Sequence, residues 1–147
     1  MLNFIFLLIF SINADEYSTK NYWIKFNEHI HKFNKSVNAK PSSAPTEINY
    51  TIAEIRKIPL NGVDSKVIKY CEKRISFALE YSEFLKSLDF VESVDSFKTE
   101  YPIKQKKEKF TDMQKRYELL YDKNKKLEGE QEELIAYLKE KYNLIYK

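Results

Sequence analysis

The sequence predicts an all-α protein, in which three main helices form an elongated arrangement with a long antiparallel, coiled-coil-like hairpin. Only two Gly and four Pro occur among 147 residues, so helix breakers are rare. Aromatic residues reach 15%, which is too many large apolar rings for a disordered chain. Near the C-terminus, apolar or amide residues recur in alternating steps of three and four, which is a heptad pattern. The length fits one helical unit.

Residues 1–14 have the features of a secretory signal peptide. An apolar run from Phe4 to Phe10 is followed by Ala14, a small residue at the expected cleavage position, and then by the acidic Asp15. The apolar run is too short to span a membrane, and no Lys or Arg precedes it. We therefore expect an exported protein, periplasmic or extracellular, whose mature domain is 15–147. The alternative is an ordinary buried N-terminal helix.

The first helix of the mature domain is predicted over about 16–38. Its apolar residues follow steps of three and four, which place them on one helix face. These residues are Trp23, Phe26, Ile30, Phe33 and Val37. Tyr22 and His29 flank this stripe and broaden it, as expected for a helix that packs against two others.

Residues 39–63 interrupt the helical pattern and are predicted to be a Pro-containing connection. Pro41 and Pro45 restrain the stretch between them, which should be extended. Four isoleucines follow, too many for a free linker, so the connection should lie on the helices, with a short helix near Thr51 to Lys57. Asn34 and Asn49 each begin a glycosylation sequon, at a frequency close to chance.

A second long helix is predicted over about 65–98. Asp64 is suited to cap its N-terminus, and Val63 and Ile68 have the spacing of a hydrophobic staple. Pro102 should stop or kink this helix. A turn near Thr99 to Ile103 would fold the last helix back alongside it; the alternative is one continuous kinked helix.

The last helix, about 104–142, carries the heptad stripe. Its members are Phe110, Met113, Tyr117, Leu120, Asn124, Leu127, Gln131, Leu134 and Leu138. A single helix of about 39 residues cannot bury its own apolar face, so this stripe packs within the chain or forms an assembly seam between chains. Asn124 and Gln131 occupy a positions, where they pair with polar groups or are half exposed. Gly129 lies on the outer face.

Few residues suggest catalysis or metal binding. Glu28 and His31 form half of a di-iron motif, but His29 and His31 are the only histidines, and they lie about 200° apart on a helix. Cys71 is the sole thiol, which excludes an internal disulfide and favours a buried small apolar residue over an intermolecular disulfide. Two glycines cannot supply a phosphate-binding loop. We expect no metal, no cofactor, no small-molecule ligand and no enzyme activity.

One basic cluster is a candidate patch for an anionic partner. Its lysines are Lys104, Lys106, Lys107 and Lys109. Acidic residues such as Glu108 and Asp112 interleave with the basic ones at helical spacing, which favours a solvated, ion-paired face. We therefore expect no nucleic-acid binding, and contact with a membrane surface is not favoured.

Three functional hypotheses follow. The first is a non-catalytic protein that binds or scaffolds a protein partner, or itself, through helix faces. The second is a holdase-type chaperone, because a helical, basic, exported chain resembles the periplasmic hairpin chaperones, although it lacks their trimerising β-strands. The third is an enzyme with an unrecognised carboxylate or Tyr site, which a deep pocket lined by such groups would indicate.

Overall fold

Helices account for nearly all of the chain in the computed structural model, which describes residues 2–39, 44–96 and 103–144. Side chains are described for residues 15–36, 44–87, 108 and 110–144. The helices are α1 (Leu2–Ala39), α2 (Ala44–Ile55), α3 (Ser65–Ser96) and α4 (Ile103–Tyr142). No strand occurs in these ranges, so the predicted all-α class is confirmed.

Two element boundaries differ from the sequence prediction. Helix α1 begins at Leu2 rather than near residue 16. The predicted short helix of the connection is a fourth helix, α2, which begins earlier, at Ala44. The expectation of an extended stretch was wrong at Ala44 and Pro45, because proline is tolerated in the first turn of a helix, where its missing N–H has no acceptor. The predicted turn at 99–103 lies mostly outside the described residues.

Helices α3 and α4 run antiparallel. At one end Asp64 contacts Lys141, in the middle Lys73 contacts Glu130, and further along Lys123 contacts Glu80, with N–O distances of 2.6–2.9 Å. Residues later in α3 therefore contact residues nearer the N-terminus of α4. The predicted antiparallel pairing is present here, whereas coiled-coil packing in detail stays a prediction.

Helices α1 and α2 cover one side of this pair. The ring centroids of Trp23 of α1 and Tyr70 of α3 are 5.9 Å apart, so α1 lies beside the first turns of α3. Ser82 Oγ of α3 lies 3.5 Å from the carbonyl oxygen of Pro45, at the start of α2. Helix α2 thus runs antiparallel to α3 and ends at Ile55, in the same core as Tyr22.

The main core lies where α1, the 56–64 turn, the start of α3 and the end of α4 meet. Its buried side chains are Tyr22, Trp23, Phe26, Ile55, Ile58, Val67, Tyr70, Cys71, Leu134, Leu138 and Tyr142. The turn that leads into α3 is fixed to α1, since the buried hydroxyl of Thr19 accepts a hydrogen bond from the Asp64 amide at 2.9 Å. Among the described side chains, burial is therefore concentrated where α3 begins and α4 ends.

Candidate functional site

The heptad stripe of α4 divides into a covered half and an exposed half. Leu127, Leu134 and Leu138 are buried against the chain's own helices, with 5%, 6% and 0% of their surface exposed. Phe110 and Tyr117, earlier in the same stripe, are 68% and 54% exposed. The exposure of the other four members is intermediate: Met113, Leu120, Asn124 and Gln131. The end of the stripe therefore packs within the chain, and its beginning remains available to a partner.

The two amides of the stripe pair with one arginine of α3. Arg74 donates from Nη1 to Asn124 Oδ1 at 3.0 Å and from Nη2 to Gln131 Oε1 at 2.8 Å. Its Nε donates to the Tyr70 hydroxyl at 2.6 Å, and that hydroxyl donates to Gln131 at 3.1 Å. The amides are both paired and partly exposed, so the structure does not choose between the two readings of the sequence. Their pairing lowers the cost of placing them between two helices.

The exposed half of the stripe belongs to a larger group of aromatic side chains, which we call the aromatic surface. It consists of Phe77 and Tyr81 of α3 with Phe110, Tyr117 and Tyr121 of α4. Phe110, Tyr117 and Tyr121 fall within about 40° of one another around α4, because steps of seven and eleven residues nearly complete whole turns. Tyr121 is 54% exposed. These rings therefore share one side of the helix.

Ring contacts join the two helices at this surface. The ring centroids of Phe77 and Tyr81 are 6.2 Å apart, those of Tyr81 and Phe84 are 6.5 Å apart, and those of Phe84 and Tyr117 are 6.3 Å apart. Phe84 is itself buried and supports the exposed rings from beneath. Aromatic neighbours restrict one another's rotamers, so the surface is preorganised for contact.

A shallow depression of about 250 Å³ lies between α3 and α4, and four members of the aromatic surface line it: Phe77, Tyr81, Tyr117 and Tyr121. Leu120 lies between this depression and a second one on the opposite flank, beside Leu119, which is 70% exposed. Lys125 Nζ lies 5.9 Å from the centre of the Tyr121 ring, so a cation borders the apolar area. Exposed apolar groups with a charged border are typical of protein-binding surfaces.

A carboxylate at the other end of the hairpin is held by four donors. Asp64 Oδ1 accepts from the Lys66 amide at 2.8 Å, which confirms the predicted helix cap. Asp64 Oδ2 accepts from Tyr137, Lys141 and Tyr142 at 2.7, 2.9 and 2.8 Å. Burial alone would raise the pKa of Asp64, but these hydrogen bonds outweigh it and hold that pKa well below its ordinary value. The group is a structural clamp between α3 and α4.

The remaining residues singled out in the sequence have separate positions. Cys71 is fully buried, as predicted, and burial raises the pKa of its thiol to about 12. His29 is half-buried and His31 is exposed, also as predicted. The lysine cluster Lys104, Lys106, Lys107 and Lys109 lies at the start of α4, where these side chains fall outside the described ones, so its role stays a prediction. Asn34 and Asn49 are exposed on α1 and α2.

Among the described residues, no group of three or more His, Cys, Asp or Glu side chains is arranged to hold a metal ion. In the same part of the chain, no helix combines the length and apolarity that crossing a membrane requires. No family model, curated protein or solved structure has significant similarity to this chain.

Proposed function

We propose that this protein is a non-catalytic binding module that holds a protein partner on the aromatic surface. The observation that carries this proposal is the exposure of Phe110, Tyr117 and Tyr121 on one side of α4, at 68%, 54% and 54%. Large apolar side chains in one contiguous area are costly to leave in water, and they are enriched where proteins bind one another.

The chemistry of the partner follows from the shape of the surface. A shallow depression between two helices suits an amphipathic helix, which buries a row of apolar side chains spaced three and four residues apart. The preorganised rings of Phe84 and Tyr117 reduce the entropy lost on binding. The partner is therefore a helical segment with a continuous apolar face, supplied by another protein or by a second copy of this chain.

Site-directed photo-crosslinking tests the proposal. A photoreactive phenylalanine analogue at position 117 or 121 should give one adduct of defined mass in cells that produce the protein. The same analogue at Tyr50, which is 64% exposed on α2, is the matched control and should give none. Phe110→Glu should abolish the adduct formed from position 121. Equal labelling from positions 50, 117 and 121 would contradict the proposal.

Sedimentation equilibrium of the purified protein then identifies the kind of partner. A stable dimer that Phe110→Glu dissociates assigns the surface to a second copy of the chain. A monomer at all concentrations, together with a crosslinked adduct in cells, assigns it to another protein. A dimer that Phe110→Glu leaves intact would place self-association elsewhere and would count against the aromatic surface.

The site of action proposed is outside the cytoplasm, after removal of residues 1–14. The support is the apolar Phe4 to Phe10 run followed by Ala14. The mass of the protein isolated from cells should correspond to residues 15–147. A chain that keeps its first 14 residues and fractionates with the cytoplasm would contradict export.

A holdase-type chaperone is the second candidate. Depressions lie on both flanks of the α3–α4 pair, an aromatic one beside Tyr121 and one beside Leu119 and Leu120 that charged side chains border, and they would allow the hairpin to hold an unfolded segment from two sides. Suppression of the aggregation of an unfolded porin, lost in a Leu119→Glu, Tyr121→Glu double variant, would favour this role. Unchanged aggregation would leave only the specific binding module.

A further inference from the structure

A larger cavity lies beside the aromatic surface, between α1, α2 and α3. Its volume is about 450 Å³, which falls within the range of small-molecule sites in proteins. Apolar side chains from all three helices line most of it, among them Phe26, Ile30, Ile48, Ile52, Ile75 and Ala78. The cavity is open to solvent on one side, so a ligand can enter without unfolding the core.

Polar groups are gathered on one wall of this cavity. Arg74, Tyr70, Asn124 and Gln131, which form the hydrogen-bonded network between α3 and α4, line it. An apolar cavity with polar groups on one wall matches an amphiphile, since the apolar part of such a molecule contacts the apolar lining and its headgroup contacts the polar wall.

The positive charge of Arg74 indicates that the headgroup of the ligand is an anion. Its guanidinium has five N–H donors, of which three bond to Tyr70, Asn124 and Gln131, and all three of these acceptors are neutral. Within the described residues, no carboxylate lies within ion-pair distance of Arg74. A half-buried cation with two donors left over favours an anion.

Two carboxylates on neighbouring turns of α4 make no direct contact with Arg74. Glu130 pairs with Lys73 at 2.7 Å, and Glu128 reaches the network only through Asn124, whose Nδ2 donates to it at 2.7 Å. They leave the positive charge of Arg74 without a direct counter-ion on the cavity wall. A carboxylate that enters the cavity can accept charge-assisted hydrogen bonds from the two remaining N–H groups of the guanidinium.

We propose that this cavity binds a straight-chain fatty acid, with its carboxylate on Arg74 and its alkyl chain between α1 and α2. The cavity and the depression beside Tyr117 share Phe77, Tyr81 and Asn124 in their walls. Arg74 and Ala78 line only the cavity, whereas Tyr117 and Tyr121 line only the depression, so variants at these positions test the two functions separately.

Calorimetric titration of the purified protein with decanoate and with 1-decanol at pH 8 tests the proposal. The two probes have the same chain and differ in the charge of the headgroup, so decanoate should bind at least about tenfold more tightly if Arg74 meets a carboxylate. Binding should be saturable with one molecule per chain. Equal affinities, or no saturable binding of decanoate, would overturn the proposal.

Two variants separate the headgroup from the tail. Arg74→Gln should weaken decanoate about tenfold or more and leave 1-decanol unchanged. Ala78→Phe should weaken both probes by filling the cavity; residue 78 lies one helical turn from Arg74, so the loss for 1-decanol, which has no charged headgroup, measures the filling alone. Tyr17→Ser, at a 72% exposed position of α1 outside the cavity lining, is the matched control and should change neither affinity. If Arg74→Gln does not fold, the decanoate-to-decanol ratio and Ala78→Phe still decide; decanoate affinity unaffected by Ala78→Phe would refute the site.

Discussion

Asp64 Oδ2 and Lys141 Nζ lie 2.9 Å apart and join two positions separated by 77 residues in the chain. Asp64 caps the start of α3, and Lys141 belongs to the last turn of α4, so the pair fastens the end of the hairpin where α3 begins and α4 ends. Half of the Lys141 side chain is exposed, whereas that of Asp64 is only 6% exposed. The carboxylate is therefore the more consequential partner, because it is the buried one.

Asp64→Ala should lower the free energy of unfolding by about 3 kcal/mol, since it removes a helix cap and leaves the Tyr137 and Tyr142 hydroxyls without their acceptor. Lys141→Gln should cost about 1 kcal/mol or less, because an exposed ion pair is screened by solvent. Urea unfolding followed by circular dichroism measures both. Asp112→Ala, at an exposed position of α4, is the matched control. Equal losses in the Asp64 and Lys141 variants would contradict the clamp.

The same carboxylate should make stability depend on acid. The pKa of Asp64 is lowered in the folded protein, so above the unfolded pKa of about 3.9 its charge stabilises the fold in full. That contribution is lost progressively as the pH falls below 3.9 towards the lowered folded pKa. Asp64→Asn keeps a capping side chain but removes the titrating group. The unfolding free energy of wild type should therefore fall more steeply than that of Asp64→Asn between pH 5 and pH 2 in urea titrations.

Gly62 should not tolerate alanine. Its φ of +73° is a left-handed conformation that residues with a Cβ rarely adopt, and the new Cβ would lie 2.8 Å from Asp15 Oδ1. The Asp15 side chain can move, so the backbone conformation dominates the expected loss of about 1 kcal/mol in urea unfolding. Gly129→Ala is the opposite control: it has open space around it inside α4 and should stabilise by about 1 kcal/mol. Stabilisation by both variants would contradict the φ argument.

Local signals in the sequence were sufficient for most of the secondary structure. Asp64 was identifiable as a cap from its place before an apolar helical pattern, and the heptad spacing of Leu127, Leu134 and Leu138 predicted a buried stripe. These features depend on residues a few positions apart, and helix geometry fixes which of those residues lie on the same face. The extended stretch predicted up to Pro45 was wrong at its end, because a proline in the first turn of a helix cannot be told from a proline in a loop by its neighbours in the sequence.

Long-range partners were not predictable in the same way. Nothing near Arg74 in the sequence indicates that Asn124 and Gln131 would meet it, since the register of α3 against α4 depends on the whole fold. The division of the heptad stripe has a similar cause. Trp23 and Tyr22 cover the hairpin only where α3 begins and α4 ends. The heptad repeat therefore extends to Phe110, but the burial of its members does not.

The Cys71 thiol should be inert in the folded protein. It is fully buried, desolvation raises its pKa to about 12, and the Tyr22 hydroxyl bonded to it only partly offsets that rise. Reaction with a thiol reagent at pH 8 should be slower than in denaturant by more than about a hundredfold, because it requires opening of the core. An absorbance assay with a disulfide reagent measures this. Rapid native labelling, or a disulfide-linked dimer without reductant, would contradict the buried position.

An introduced charge should destabilise the protein strongly in the covered half of the heptad stripe and hardly at all in the exposed half. Leu127→Asp places a carboxylate where only 5% of the side chain is exposed, and should destabilise the protein by more than about 3 kcal/mol or prevent folding. Phe110→Asp introduces the same charge into the same repeat at 68% exposure, and should leave the free energy of unfolding within about 0.5 kcal/mol of wild type. Thermal and urea unfolding of both variants, with sedimentation to record mass, make the comparison. If Phe110→Asp is as damaging as Leu127→Asp, the whole stripe is buried in the functional state. The aromatic surface would then be an obligate assembly seam, and the protein would fold only with its partner in place.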